Sequence, residues 1–189
     1  MRKLAILTFI TLDGVMQAPK MPEEDMSGGF NSAGWADPYW DEVMDLVATE
    51  AMDVPYDVLF GRNTYDVFSA HATENHPMHG FKKYVVTSKP ENLEWNNSTA
   101  ITGDIAAEVK MLKQQDGPLL QVHGSCELIQ TLLENDLVDE LRLWIFPAVL
   151  GAGKRLFGSG SIPAKFNLMK TDSTPKGVIM GLYERRLEM

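Results

Sequence analysis

The sequence predicts an α/β fold: a mostly parallel sheet covered by helices, closed by an antiparallel edge. Three observations predict it. Apolar runs of strand length alternate with helix-period segments between residues 3 and 146. Three of the strands run out directly into glycine or hydroxyl residues. The last stretch, Phe166–Thr171 and Val178–Arg186, reads as two strands joined by a Pro175/Gly177 turn.

Taken in order, residues 3–11 are apolar on both faces, as a central strand is. Arg2-Lys3 before this run resembles the opening of a signal peptide, but the run stops at Asp13-Gly14 without a small-residue cleavage site, so a strand is expected. Residues 15–36 hold Pro19, Pro22, Gly28, Gly29 and Gly34 with no period, the pattern of a functional loop, and Phe30 and Trp35 in it favour packing. Asp37-Pro38 predicts a helix start, with Asp as cap and Pro in the first turn. That helix runs to about Met52, turning Val43, Leu46, Val47 and Ala51 inward until Pro55 stops it. Tyr56–Phe60 is a strand and Asn63–Ala70 a helix. Lys83–Ser88 and Thr99–Ile101 are strands, followed by a helix from Asp104 through Gln115. Leu119–His123 is a strand whose helix ends near Leu137, and Leu141–Phe146 is a strand before a glycine-rich loop at 151–158. The order holds eight strands with no repeat and no linker, so residues 1–189 are expected to form one domain.

Composition narrows the function classes. The 189 residues are 44% hydrophobic and 23% charged, ordinary for a globular protein. A net charge of -9 argues against a nucleic-acid partner, whose affinity rests largely on Lys and Arg. One cysteine excludes an internal disulfide and fits a reducing compartment, and no apolar run could span a bilayer; a cytoplasmic protein without a membrane partner is expected.

The chemistry is expected at strand ends. Gly61-Arg62-Asn63-Thr64, Thr87-Ser88-Lys89 and Gly124-Ser125 each follow a strand. The first N–H groups of a helix lack internal partners and carry partial positive charge, so such junctions suit phosphate. The Arg62 guanidinium adds a planar fork matched to phosphate oxygens. Lys154 and Arg155 could meet a substrate phosphate. Cys126, at a helix start, could carry a lowered pKa. His71, His76 and His79 are too loosely spaced, without supporting ligands, to make a metal site, so no metal is expected.

The ordered set Thr11-Leu12-Asp13-Gly14, Leu59-Phe60-Gly61-Arg62-Asn63-Thr64-Tyr65, Lys83–Ser88, Val122-His123-Gly124-Ser125, Leu137–Leu141 and Pro147–Gly153 resembles the dihydrofolate reductase-like family, in the branch of the riboflavin-pathway pyrimidine reductase domain. The resemblance implies a three-layer sandwich on a mixed, mostly parallel eight-stranded sheet. It implies an NADPH-dependent reductase acting on a small heterocycle, often as a homodimer. Carried onto this sequence, Gly61, Arg62, Asn63 and Thr64 would hold cofactor phosphates, Thr87, Ser88 and Lys89 would lie at the adenosine end, and Gly124, Ser125, Cys126 and Glu127 would hold the pyrophosphate. Thr8–Leu12, including Thr11 and Leu12, would line the nicotinamide by backbone. Asp13, Trp35 and Lys154 are candidate substrate contacts. A proton donor on the first helix would be Asp45, reached by counting back from Gly61, or Asp41. The sequence departs from the family where His123 stands in a run of glycines.

The leading expectation is reduction of a riboflavin-type uracil, with dihydrofolate or pterin reduction as the alternative. A hydrolase with a Ser125 nucleophile is a rival of another class, although Cys126-Glu127 does not supply the glycine of a nucleophile elbow. A nucleotide-binding protein without turnover is the third reading.

Overall fold

The computed structural model describes residues 1–21, 24–158 and 161–186. Its centre is an eight-stranded sheet made of β1 (Leu4–Thr11), β2 (Tyr56–Gly61), β3 (Lys83–Val86), β4 (Ser98–Ile101), β5 (Leu119–His123), β6 (Glu140–Phe146), β7 (Phe166–Ser173) and β8 (Ile179–Arg185). The strand order is β4-β3-β2-β5-β1-β6-β8-β7. The pairings from β4 to β6 are parallel, and β8 and β7 add an antiparallel hairpin. The eight strands, the mostly parallel pairing and the closing hairpin are those the sequence predicts.

Four helices cover the sheet: α1 (Glu42–Met52), α2 (Arg62–His71), α3 (Ile105–Gln114) and α4 (Cys126–Glu134). Strand residues alternate between faces. Leu4, Ile6, Leu120, Val122 and Leu141 face α3 and α4, packing with Val109, Leu112, Leu128, Ile129 and Leu132. Phe146 and Trp144 pack with Met44 of α1, and Val58 and Phe60 with Tyr65 of α2, on the opposite face. Complete burial of Leu4, Ile6, Leu120 and Val122 stabilises by about 1.5–3 kcal/mol per side chain. Arg2, buried at the entry to β1, pairs with Asp57 and donates to the Pro118 carbonyl, tying the sheet's three central strands together at one end.

Two local expectations give way. Asp37-Pro38 starts only a short 3₁₀ turn, Asp37–Tyr39, and α1 begins at Glu42 with Asp41 as its cap. The Asp41 Oδ1 accepts from the Met44 N–H at 3.1 Å, so the later carboxylate satisfies the helix donors. Leu46, expected inward, is 67% exposed, because the helix turns Met44 to the core with Val43 and Val47 beside it, and a residue two positions from Met44 points to nearly the opposite side.

The described residues of the 15–36 stretch form a packed loop. Val15, Ala18, Phe30, Trp35 and Ala36 join the cluster of Met44, Trp144 and Phe146. Buried Gln17 donates from Nε2 to the carbonyls of Asp25 and Ser27 and accepts the Trp35 indole N–H at its own carbonyl, 2.8 Å away. Gly153 seats the 151–158 loop against it: a Cβ there would stand 2.7 Å from Val15 Cγ1 and 2.9 Å from Phe30. Pro22 lies outside the described residues. Among the described residues no helix is long and apolar enough to cross a membrane.

Candidate functional site

The parallel strands β1, β2, β3 and β5 end on one side of the sheet, and a cleft of about 750 Å³ opens there. The order reverses at β5 and β1, the topological switch point where α/β sheets leave a crevice. Gly61, Arg62, Asn63 and Thr64 enter it from β2–α2, Thr87, Ser88 and Lys89 from the end of β3, and Gly124, Ser125, Cys126 and Glu127 from β5–α4. Lys154 closes one rim, with Lys20 and Asp25 of the 15–36 loop.

Of the three helices whose first residues line this cleft, α2 and α4 lack a side-chain cap, whereas α3 is capped by Asp104, as α1 is by Asp41 elsewhere. The first N–H groups of α2 and α4 are therefore left to whatever occupies the cleft. The two junctions are stitched together. Gly61 N–H donates to Ser125 Oγ at 2.9 Å, Ser125 N–H donates to Thr64 Oγ1 at 3.1 Å, and Ser125 Oγ donates to the His123 carbonyl at 3.1 Å. This turn requires left-handed backbone at two successive residues, Gly124 (φ +54°) and Ser125 (φ +58°). Glycine meets that requirement freely; Ser125 bears it for its bridging hydroxyl.

Arg62 braces the site. Its Nε pairs with Asp66, and Nη1 donates to the carbonyls of Lys89 at 2.9 Å and Glu91 at 3.3 Å, holding the loop after β3 against α2. Lys154 Nζ sits 2.9 Å from Asp25 and 3.7 Å from Glu127, linking the 15–36 loop to the start of α4. Burial pushes the Cys126 thiol up to about 11, opposite to the lowering expected from its helix position.

Of Thr8–Leu12, Thr8 and Phe9 line the cleft; the remaining sequence candidates do not. Thr11 donates to Asp13 at 2.6 Å and accepts the Val15 N–H, while Leu12 is 64% exposed. Asp13 accepts from the Leu150 and Gly151 N–H groups and from Arg155; the Thr11 hydroxyl and these amides hold its carboxyl down to about 2. It anchors the glycine loop. Trp35 is a core residue, and Asp41 is a cap. Asp45 accepts the Trp40 indole N–H at 2.7 Å. His71 and His76 meet neighbouring backbone groups and His79 the Asn96 amide.

Of the cleft floor, sequence reading named Phe9, within Thr8–Leu12, and gave Leu7 and His123 no part in the site. Leu7, Phe9 and His123 share one sheet face there, walled by Val67 and Phe68 of α2. His123 is 5% exposed and touches the rings of Tyr56, Phe60 and Phe68. Burial, reinforced by the Arg142 charge, holds its imidazole down to about 3, so it is neutral at physiological pH. The signal for it was the interruption of an expected glycine run; its partner Arg142 lies on another strand.

This strand order, with a cleft where the parallel strands end, places the protein among α/β folds with a crevice at the switch point. Residues 2–180 match the RibD C-terminal domain, and the chain belongs to that family. It is 30% identical to the uncharacterised protein YyaP of Bacillus subtilis (strain 168) over 149 residues, 74% of this chain and 79% of that one. Among solved structures, a pyrimidine reductase-like protein of Corynebacterium diphtheriae superposes with a TM-score of 0.66 at 13% identity, covering 99% of this chain and 93% of that one. Dihydrofolate reductase of Enterococcus faecalis, solved with NADP(H), superposes with a TM-score of 0.64 at 15% identity, covering 97% and 96%. These likenesses show the dihydrofolate reductase-like fold.

Proposed function

We propose that this protein is an NADPH-dependent reductase that passes hydride to a small heterocycle of the riboflavin-pathway pyrimidine type. The observation that carries the reading is the pair of uncapped helix starts, α2 and α4, opening side by side onto one cleft. Two anion-binding ends stitched by Ser125 suit a pyrophosphate. Family membership and the dihydrofolate reductase likeness support the same group. NADPH, when bound, supplies the hydride. The chain's part is to hold phosphates at Gly61–Thr64 and Gly124–Glu127, to keep the loop at Thr87–Lys89 in place through Arg62, and to offer an apolar floor of Leu7 and Phe9 to the reacting rings. The packed 15–36 loop limits water at the rim.

The uracil type is favoured over folate because neither first-helix carboxylate lines the cleft: Asp41 caps α1 and Asp45 binds Trp40. The Ser125 hydrolase finds no support, since its hydroxyl donates to a carbonyl and no base accepts its proton. A homodimer in the cytoplasm belongs to the same proposal; exposed Leu168, Met169 and Ile179 on the hairpin offer apolar area for pairing.

The test is a titration with NADPH and NADH followed by a product assay with 5-amino-6-(5-phosphoribosylamino)uracil. Saturable NADPH binding and consumption of the reduced nucleotide with this compound are expected. No saturable binding up to millimolar NADPH overturns the reading, and binding without turnover leaves a nucleotide-binding protein of the third kind.

A further inference from the structure

A file of polar side chains runs across the sheet between the aromatic clusters under α1 and α2. Glu140 and Arg142 stand on β6, and Gln121 and His123 on β5. Ala5 and Leu7 of β1 lie between them in register, Ala5 opposite Gln121 and Glu140, Leu7 opposite His123 and Arg142. The long side chains meet across this strand. Arg142 Nη2 pairs with Glu140 at 3.3 Å, Arg142 Nη1 donates to Gln121 Oε1 at 2.9 Å, and Gln121 Nε2 lies 3.0 Å from His123 Nε2.

The donor rules then leave one arrangement. A guanidinium only donates, so Gln121 must turn its carbonyl oxygen to Arg142 and its amide N–H₂ to the imidazole. His123 Nε2 must accept, and the ring proton sits on Nδ1. Nδ1 has no hydrogen-bond partner among the described residues, while the 5%-exposed ring lines the cleft floor. Nδ1 is not among the fully buried unpaired atoms, so its proton opens to the cleft that this ring lines. Phe60 and Phe68 meet the ring as aromatic side chains, and Tyr56 packs beside it with its own hydroxyl buried and unpartnered.

We propose that His123 Nδ1–H is a recognition donor for a ring or amide carbonyl of the molecule bound on the Leu7–Phe9 floor, with Gln121 and Arg142 as positioning residues that set its tautomer. The inference rests on the reductase reading and deepens it by naming a specificity contact. Two carbonyls could answer it, the nicotinamide carboxamide and a carbonyl of a pyrimidine ring. Both are planar acceptors, and Phe68 lines the same cleft as the floor. A donor locked in this way selects against a ring that presents an N–H at the same place, because two donors would then face each other in a dry site.

The experiment is long-range ¹H–¹⁵N correlation on the full chain labelled at histidine, free and after saturation with NADPH, then with 5-amino-6-(5-phosphoribosylamino)uracil. The free protein should show His123 protonated at Nδ1 only, and Gln121→Leu should mix the tautomers. A shift of the Nδ1 signal with NADPH alone assigns the acceptor to the carboxamide, and a shift only after the pyrimidine assigns it to the substrate. In parallel, His123→Phe should weaken the responsive ligand at least tenfold, and Gln121→Leu should weaken it severalfold. His123→Asn, which places an N–H near the Nδ1 position, should stay within a few-fold of the parent. An Nε2-protonated ring, or saturable NADPH binding with no Nδ1 response to either ligand, overturns this inference and leaves the reductase reading standing. Failure of NADPH to bind at all overturns both.

Discussion

Replacement of Ser125 separates what holds the cleft from what merely permits its turn. Ser125→Ala deletes the acceptor of the Gly61 N–H and the donor to the His123 carbonyl while keeping the left-handed residue and its Cβ. A half-buried amide left without its acceptor costs about 1–3 kcal/mol. No strain is relieved, so a loss of about 2 kcal/mol is expected, lowering a urea midpoint by about 1 M at an ordinary slope. Ser125→Gly loses the same hydroxyl but also removes a left-handed penalty of about 1–2 kcal/mol, against a smaller entropy cost in the unfolded chain. It should therefore be more stable than Ser125→Ala by roughly half to one kcal/mol. Nucleotide affinity should behave differently. Both variants lose the stitch between the two helix starts, so both should bind NADPH several times more weakly, and the relief of strain should not rescue it. The assays are urea unfolding with paired slopes and a fluorescence titration with NADPH. Unchanged NADPH affinity in a destabilised Ser125→Ala would refute the reasoning, because the stitch would then hold the fold without shaping the site.

Three further outcomes follow from the same geometry. Arg62→Ala frees the loop carrying Lys89 and Glu91 and removes a guanidinium from the cleft, so NADPH should lose about tenfold in affinity, and its preference over NADH should fall; an unaltered preference would show that another group reads the extra phosphate. Gly153→Ala would drive a Cβ into Val15 and Phe30 at φ +123°, so a loss of about 2–4 kcal/mol is expected from overpacking and strain together, and an unchanged melting temperature would contradict it. Burial depresses the His123 imidazole in the folded state to about 3, so the unfolded chain binds the extra proton. Stability is then full above about pH 6.5 and falls as pH drops toward 3, by up to about 1.4 kcal/mol per unit. The Asp13 carboxyl, held down to about 2, should add its loss only below about pH 4. His123→Phe should flatten the upper part of that profile, and a wild-type curve already flat between pH 4 and 6 would refute the assignment.

Read alone, the chain determined most of its elements and the strand ends that meet at the cleft, because both are local. Short continuous apolar runs and glycine punctuation mark β1, β2 and β5 without reference to anything distant, and a helix start offers its donors wherever it lies. Thus Gly61–Thr64, Thr87–Lys89 and Gly124–Glu127 were legible as phosphate-friendly strand ends, and the family resemblance ordered them. Whether a polar residue faces a ligand or another loop depends on pairing across the chain, and there only the tertiary structure decided. Asp13 anchors Leu150 and Gly151, 137 and 138 positions away, and Trp35 fills the core against Phe146. The three corners became one cleft because β5 inserts between β2 and β1. The His123 proton is placed by an arginine two strands across, through a glutamine, over a strand whose small and apolar residues let them meet. Such relations are set by strand order and register, which the packing of both sheet faces selects at once and no local stretch of sequence encodes.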